Sequence, residues 1–518
     1  MAEEEKVSAG SQSAPTQAGA PAQGNPAPTA QTKPFATVPA DRAKEVPEPA
    51  SARLTWTDGE KTLQYEARAA HLDVRDDNGV LLGRMFSLSY VVVDAEGRPD
   101  PARPVTFAYN GGPGSSSVPI NFGGIGPRRV TTDGVSHVRA DAPVVDNPHT
   151  LLPDSDVVFL DALGTGWSVL ADDADPKKIF STDGDADAFA RAICAWLTER
   201  GRWSSPLYLY GESYGTVRNS VLMRLLGERG VQLTGVVMLS AVFNIAGLIC
   251  PGEDSYYLGM LPVYAATAQF FGKAGAGVDE DEWFDRAMAF TEDELAPALL
   301  RGDRLGEERE RAVAEGMSGL IGLPAEHILA HHLRIDLLDF RTHLLADGGR
   351  VCGRLDTRFA ADAPSPMQSY DMWVAGEDAA DDALEGAWVR EFRRFCADEL
   401  GYEGPARYLS NNYDKVNAGW NWSHEEPGLG EVPAPNVALD IAVALRRNPT
   451  CKLAIIGGRY DAATTWWNVV RDMSCQFLSE RLKERVSWYR YGCGHMAYVD
   501  EPTLAAMGRD MHEFYQKR

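Results

Sequence analysis

Ser213, Asp461 and His495 have the residue types that acyl transfer needs, and they occur in the order serine, acid, histidine along a chain of 518 residues. Such chemistry requires a nucleophile, a base to take its proton, an acid to orient that base, and N–H donors for the oxyanion. Ser213 sits within Gly211-Glu212-Ser213-Tyr214-Gly215. The apolar residues 207–210 before it read as a strand, and Val217, Val221, Leu222, Leu225 and Leu226 after it share one helical face. A strand, a tight turn and a helix in that order lift a serine hydroxyl clear of the backbone, and the two glycines answer a turn too sharp for side chains. Asp461 and His495 also lie just beyond apolar runs, at 452–456 and 486–491, each followed by glycines. The order serine, acid, histidine is that of a doubly wound hydrolase. The 34 positions from Asp461 to His495 leave room for one helix and one strand, as two neighbouring parallel strands require. For the oxyanion the natural donors are the N–H of Tyr214 and that of Gly112. The latter lies in Asn110-Gly111-Gly112-Pro113-Gly114-Ser115-Ser116-Ser117, whose small residues let backbone amides face a ligand.

These groups need a scaffold, and the chain supplies its signals in order. Residues 1–50, rich in Ala, Pro, Gln, Ser and Thr, cannot bury enough surface to offset their ordering entropy and read as a disordered tail. Residues 51–249 read as the first part of an α/β core. Alternating runs at 54–56, 62–74 and 81–93 predict antiparallel strands, with a hairpin turn at Asp76-Asp77-Asn78-Gly79. Buried-type strands follow at 105–109, 156–160, 207–210 and 234–239, with a helix over 185–200. Strands alternating with helices predict a mostly parallel sheet flanked by helices, with ligands at the carboxyl ends of the strands. Residues 250–432 lose the sheet pattern and read as a largely helical cap roofing the site. The second part of the core, 433–518, restores the pattern and ends in a helix over 502–515.

Composition narrows the function classes. At 44% hydrophobic and 24% charged the chain has the balance of a globular protein, and a net charge of −24 disfavours nucleic acid or anionic membrane as partner. No apolar run reaches 18 residues, and the acidic start MAEEEKVSAG lacks a signal peptide's basic and apolar regions, so a soluble, cytoplasmic protein is expected. Seven cysteines without C-x-x-C spacing indicate neither a zinc site nor a disulfide framework.

NGGPGSSS from Asn110, GESYG from Gly211, the Asp461 segment and GCGHM from Gly492 together resemble the serine carboxypeptidase family, of the α/β-hydrolase fold. The resemblance extends over nearly the whole chain after the tail and is weak in the cap. It implies that Asn110 and Glu212 grip the terminal carboxylate of a peptide, that Gly112 donates to the oxyanion, and that Met496 lines the pocket for the departing residue. Two departures stand out. The family often has a second glutamate immediately before a residue-Gly-Pro triplet, where this chain has Gly124 in Gly124-Ile125-Gly126-Pro127, thinning the carboxylate grip. Secreted members have cysteine after Asn-Gly-Gly-Pro-Gly, where this chain has Ser115, in agreement with a reducing compartment.

The expected activity is serine-type carboxypeptidase action on peptides through an acyl-enzyme, with no cofactor and no metal. An esterase or acyltransferase using the same triad is the alternative, since acyl transfer does not reveal its acceptor. A non-catalytic binding protein on the same fold is a third reading. His327, His331 and His332 have helical spacing, but without a matching acid or cysteine pair nearby in the sequence they read as a solvated helix face. Cys493 reads as a small buried packing residue, and Trp466 and Trp467 as core or pocket wall.

Overall fold

In the computed structural model, which describes residues 46–517 apart from 60, 133, 136, 137, 139–141, 250, 251 and 364–377, the opening alternating segments pair as antiparallel strands. These are β1 (Ala50–Asp58), β2 (Lys61–Arg75) and β3 (Leu81–Val92), with Ala67 facing Ala52 on one side and Tyr90 on the other. The β2–β3 turn closes because Asp76 Oδ1 accepts from the backbone N–H of Asn78 and Val80 at 2.9 and 2.8 Å. Most of the sequence-predicted tail, and Cys250 at the start of the sequence-predicted cap, lie outside the described residues.

Six further strands complete the main path of the sheet, β4 (Val105–Tyr109), β5 (Asp156–Leu160), β6 (Leu207–Glu212), β7 (Leu233–Leu239), β8 (Lys452–Gly458) and β9 (Val486–Tyr491), and the short strand Val169–Leu170 pairs with β3 off that path. The sheet order is β1-β2-β3-β5-β4-β6-β7-β8-β9. From β5 to β9 every pairing is parallel. β4, β5 and β6 are buried at every position, which explains their continuous apolar text: with helices on both faces there is no solvent side to mark by alternation. Successive residues still point to opposite cores. Val236 and Met238 enter one apolar cluster with Leu453 and Ile455, while Val237 and Leu239 enter the other with Ala454 and Ile456.

The longer helices are α1 (Thr182–Arg200), α2 (Tyr214–Glu228), α3 (Asp254–Phe270), α4 (Glu280–Phe290), α5 (Glu307–Ile321), α6 (Ala325–Ala330), α7 (Leu337–His343), α8 (Ala379–Arg394), α9 (Ala438–Arg447), α10 (Trp466–Ser474) and α11 (Glu501–Gln516). α1 starts three residues before the span read from the sequence, because Ser181 caps it by accepting from Gly184 N–H at 3.1 Å, and Asp183 and Asp185 favour its positive end. α1, α2 and α9 cover one face of the sheet through Phe189, Trp196, Val217, Val221, Ile441 and Leu445. α11 covers the other with Leu504, Met507 and Phe514, together with α8 through Leu384 and Trp388.

Residues 250–432 divide between two cores. α3 to α7 pack around an apolar cluster of their own, which takes in only Ala462 and Trp467 from the residues after 432. α8 instead joins the cluster on the sheet. Two short hairpins, Arg350–Cys352 with Ala360–Asp362 and His424–Glu426 with Gly430–Val432, interrupt the helices.

The second hairpin is tied to the core by a buried histidine. His424 is fully buried, with Nδ1 2.6 Å from Asp183 Oδ1 in α1 and Nε2 3.0 Å from Asp440 Oδ2 in α9. Burial opposes its charge, but the two carboxylates prevail and hold the imidazolium up to about 9. A folded value above the ordinary 6.5 means that the clamp stabilises fully below pH 6.5 and is lost as pH rises through about 9. We expect His424→Gln to cost on the order of 2–3 kcal/mol at pH 6. Urea midpoints across pH 6–9.5 should show the gap between the two proteins closing toward the alkaline end.

Candidate active site

β6 ends at Glu212 and α2 begins at Tyr214, leaving Ser213 alone to make the turn at φ 60° and ψ −129°. A non-glycine residue is strained there, and the surrounding structure must hold it. Ser213 N–H donates to Leu239 O on β7 at 2.9 Å, and Ser213 O accepts from Thr216 N–H at 2.8 Å and Thr216 Oγ1 at 2.7 Å. A Cβ on Gly211 would lie 2.3 Å from Gly215 O, so the first of the two flanking glycines is sterically required. A Cβ on Gly111 would lie 2.4 Å from Tyr214 N, so the glycine loop after β4 rests on the start of α2. That contact brings Gly112 (φ +103°) close to the turn. Among the described residues neither Gly112 N–H nor Tyr214 N–H finds an acceptor, which leaves both free for an oxyanion.

Asp461 lies beyond the end of β8 and His495 beyond the end of β9. Asp461 is fully buried, and its Oδ2 is 2.9 Å from His495 Nδ1. Its other oxygen, Oδ1, accepts from the N–H of Ala463 and Thr464 at 2.8 and 2.9 Å, so the carboxylate is fixed from behind. Thr464 Oγ1 bridges the group, 2.7 Å from Asp461 Oδ2 and 3.2 Å from His495 Nδ1. Burial would lower the His495 titration, but the charge and hydrogen bond of Asp461, then the charge of Glu212, outweigh it and hold the imidazole above its usual range; Arg354 opposes them. With Nδ1 engaged by Asp461, Nε2 is the nitrogen left to serve a substrate or nucleophile. Among the described residues Ser213 Oγ makes no hydrogen bond, and it opens with His495 onto one cavity.

Glu212 is 2% exposed. Burial pushes its carboxyl up to about 7, partly offset by the positive charge of His495 and by the Tyr498 hydroxyl. That hydroxyl donates to both oxygens of Glu212, at 3.2 and 3.0 Å, and the Asn110 side chain also hydrogen-bonds Glu212. Asn110 is held in turn, its Oδ1 accepting from Ile120 N–H at 3.0 Å. Gly124 explains how Tyr498 gets there. A Cβ at Gly124 would lie 3.1 Å from the Tyr498 ring, which packs where a side chain at 124 would begin.

A cavity of ≈ 420 Å³ joins these groups, lined by Asn110, Gly112, Glu212, Ser213, His495 and Met496 on the core side. Its opposite wall comes from the 250–432 segment, including Arg341 on α7, Arg354, Glu385 on α8 and Tyr413. Sequence reasoning did not find Tyr498, Thr464, Arg341 or Arg354. Tyr498 and Thr464 lie three residues from His495 and Asp461, so only proximity to those residues could have pointed to them. Of the other sequence candidates, Cys493 is fully buried with its thiol titration pushed far up by burial, which leaves it unreactive. Trp466 packs on Gly457 and Trp488, and Trp467 joins the α3–α7 cluster. The six described cysteines are unpaired. Among the described residues no helix is long and apolar enough to cross a membrane.

No curated protein sequence matches the chain. Among solved structures it resembles Kex1Δp, a prohormone-processing carboxypeptidase from Saccharomyces cerevisiae, at 14% identity and TM-score 0.52, over 87% of this chain and 91% of that one. An esterase from Thermogutta terrifontis matches at 11% identity and TM-score 0.32, over 90% and 98% of the two chains. Esterase E22 matches at 11% and 0.37, over 87% and 100%. At these identities the likeness to the carboxypeptidase establishes the fold, that of an α/β-hydrolase. Residues 60–239, from β2 through the nucleophile turn to the end of β7, match the model of the serine carboxypeptidase family. Residues 60–239, with the nucleophile turn, therefore form a serine carboxypeptidase family region, and the protein is a hydrolase of the peptidase class.

Proposed function

We propose that this protein removes C-terminal residues from peptides through an acyl-enzyme on Ser213. Ser213 Oγ attacks the last peptide carbonyl and His495 Nε2 takes its proton. The tetrahedral oxyanion is held by the N–H groups of Gly112 and Tyr214, and His495 returns the proton to the departing amine. Water then repeats the sequence and frees Ser213. Asp461 keeps the imidazole in the tautomer that accepts at Nε2. The terminal carboxylate is read by Asn110 and Glu212, and Met496 flanks the departing residue. Residues 250–432 act as a cap over this cavity, favouring short chain ends over folded protein.

The observation that carries the exopeptidase reading is Glu212, a buried carboxyl beside the nucleophile that is neutral up to about pH 7. A free-acid peptide brings a second carboxylate into the pocket, and because two bare carboxylates repel, one must carry a proton. Below about 7 Glu212 can donate to a substrate carboxylate. Above it the affinity for free acids should fall, with KM rising about tenfold per pH unit. His495 must be neutral to act as base, so turnover rises with pH through its own titration, and the two trends leave a narrow window.

Blocked dipeptides with free and amidated ends provide the test. The amidated substrate should be hydrolysed much more slowly, and Glu212→Gln should flatten the alkaline loss on free acids while leaving amides and esters nearly unchanged. A variant that alters free-acid and amidated substrates alike at every pH would show that Glu212 does not read the carboxylate.

A further inference from the structure

We propose that the cap carries a binding site for one divalent transition-metal ion of the imidazole-preferring class, built from His327, His331 and Asp339 with His343 beside them, where α6 meets α7. His327 and His331 are four residues apart at the end of α6, so their side chains project from the same side. Asp339 and His343 repeat that spacing on α7. The two pairs converge. His327 Nε2 is 2.7 Å from Asp339 Oδ2, His331 Nε2 is 3.9 Å from Asp339 Oδ1, and one ligand atom from each of the three residues lies within 4.8 Å of the others. His343 Nδ1 is 3.1 Å from Asp339 Oδ1. The rings of His331 and His343 stand 4.5 and 4.6 Å from that of His327.

The sequence pointed to His327, His331 and His332 and found no acid to complete them. The fold supplies the acid from the next helix and removes the wrong histidine. His332, at φ 49°, turns away and bonds Glu310 at 3.0 Å. Bonds of about 2.0–2.1 Å to tetrahedral zinc place ligand atoms about 3.4 Å apart, between the shortest and longest separations seen here, so small side-chain rotations suffice. The orientation of one ring is already set: His331 Nδ1 bonds His327 O at 2.9 Å, leaving Nε2 for an ion. Two imidazoles and one carboxylate suit zinc, nickel or copper better than magnesium or calcium. An ion bound there takes the place of the hydrogen bond between His327 Nε2 and Asp339 Oδ2.

The experiment is a zinc titration of the full chain, stripped with chelator and freed of any histidine tag, followed by competition with a chromophoric chelator. One ion per chain should bind saturably. Affinity should fall more than about tenfold in each of His327→Asn, His331→Asn and Asp339→Asn, and stay unchanged in His332→Asn and Ser213→Ala. Metal-free unfolding midpoints show whether each variant is folded, and His331→Asn, at an exposed ring, is the least disruptive of the three. The proposal is overturned if no one-ion saturation appears, if zinc binding survives His331→Asn in a folded protein, or if His332→Asn weakens it as much as His327→Asn.

Discussion

Ser213→Ala should abolish hydrolysis of every substrate the wild type accepts, with a loss in turnover on the order of 10⁶. Without Oγ no acyl-enzyme can form, and the Gly112 and Tyr214 amides can then assist only direct attack by water. The substitution is structurally mild, because Ser213 Oγ makes no hydrogen bond among the described residues and the strained turn is held through backbone atoms, to Leu239 O and from Thr216. The unfolding midpoint should therefore change little. Fluorophosphonate should label the wild type at Ser213 and leave the variant unlabelled. Labelling elsewhere, or peptide hydrolysis retained by the purified variant, would place the chemistry on another residue.

Asp461→Asn should cost about 10⁴ in turnover with the fold intact. The direction follows from which oxygen faces which donor. Asp461 Oδ1 accepts from two backbone N–H groups, so an asparagine must place its carbonyl oxygen there. Its NH₂ then faces His495 Nδ1 across the 2.9 Å contact that Oδ2 now makes. Nδ1 becomes an acceptor, the ring proton moves to Nε2, and the base can no longer take a proton from Ser213. Thr464 Oγ1 can still donate to Ser240 O at 2.9 Å, so the site need not unfold to adapt. Rates on an ester with a good leaving group should drop alongside those on peptides, because deprotonation of Ser213 is common to both. An Asp461→Asn protein retaining wild-type turnover would identify a different orienting acid.

The core fold was legible because its signals are local. Strands buried on both faces must be continuously apolar, and the glycine-flanked Ser213 announces a turn that other residues cannot make. The opening hairpin is written in Asp76 to Gly79, the same residues that close it. The segment 250–432 showed in the sequence only as a loss of pattern. Its helices answer to a separate cluster around Tyr264, Trp283 and Phe340, and no period in the sequence shows that α8 leaves that cluster for the sheet.

What the sequence determined by itself was chemistry close to punctuation: a serine at a forced turn, an acid and a histidine each after an apolar run, and an asparagine in a glycine loop. Tertiary structure alone decided the surroundings. Tyr498 reaches Glu212 because Gly124 leaves room for its ring, Arg341 and Arg354 face the cavity from a segment with no sheet signal, and Asp339 rather than a neighbour of His332 meets His327. The reason is physical. Backbone strain and burial on both faces restrict which residue types a position accepts, so they leave a local trace, whereas contacts between distant elements depend on how those elements pack, which no spacing along the chain encodes.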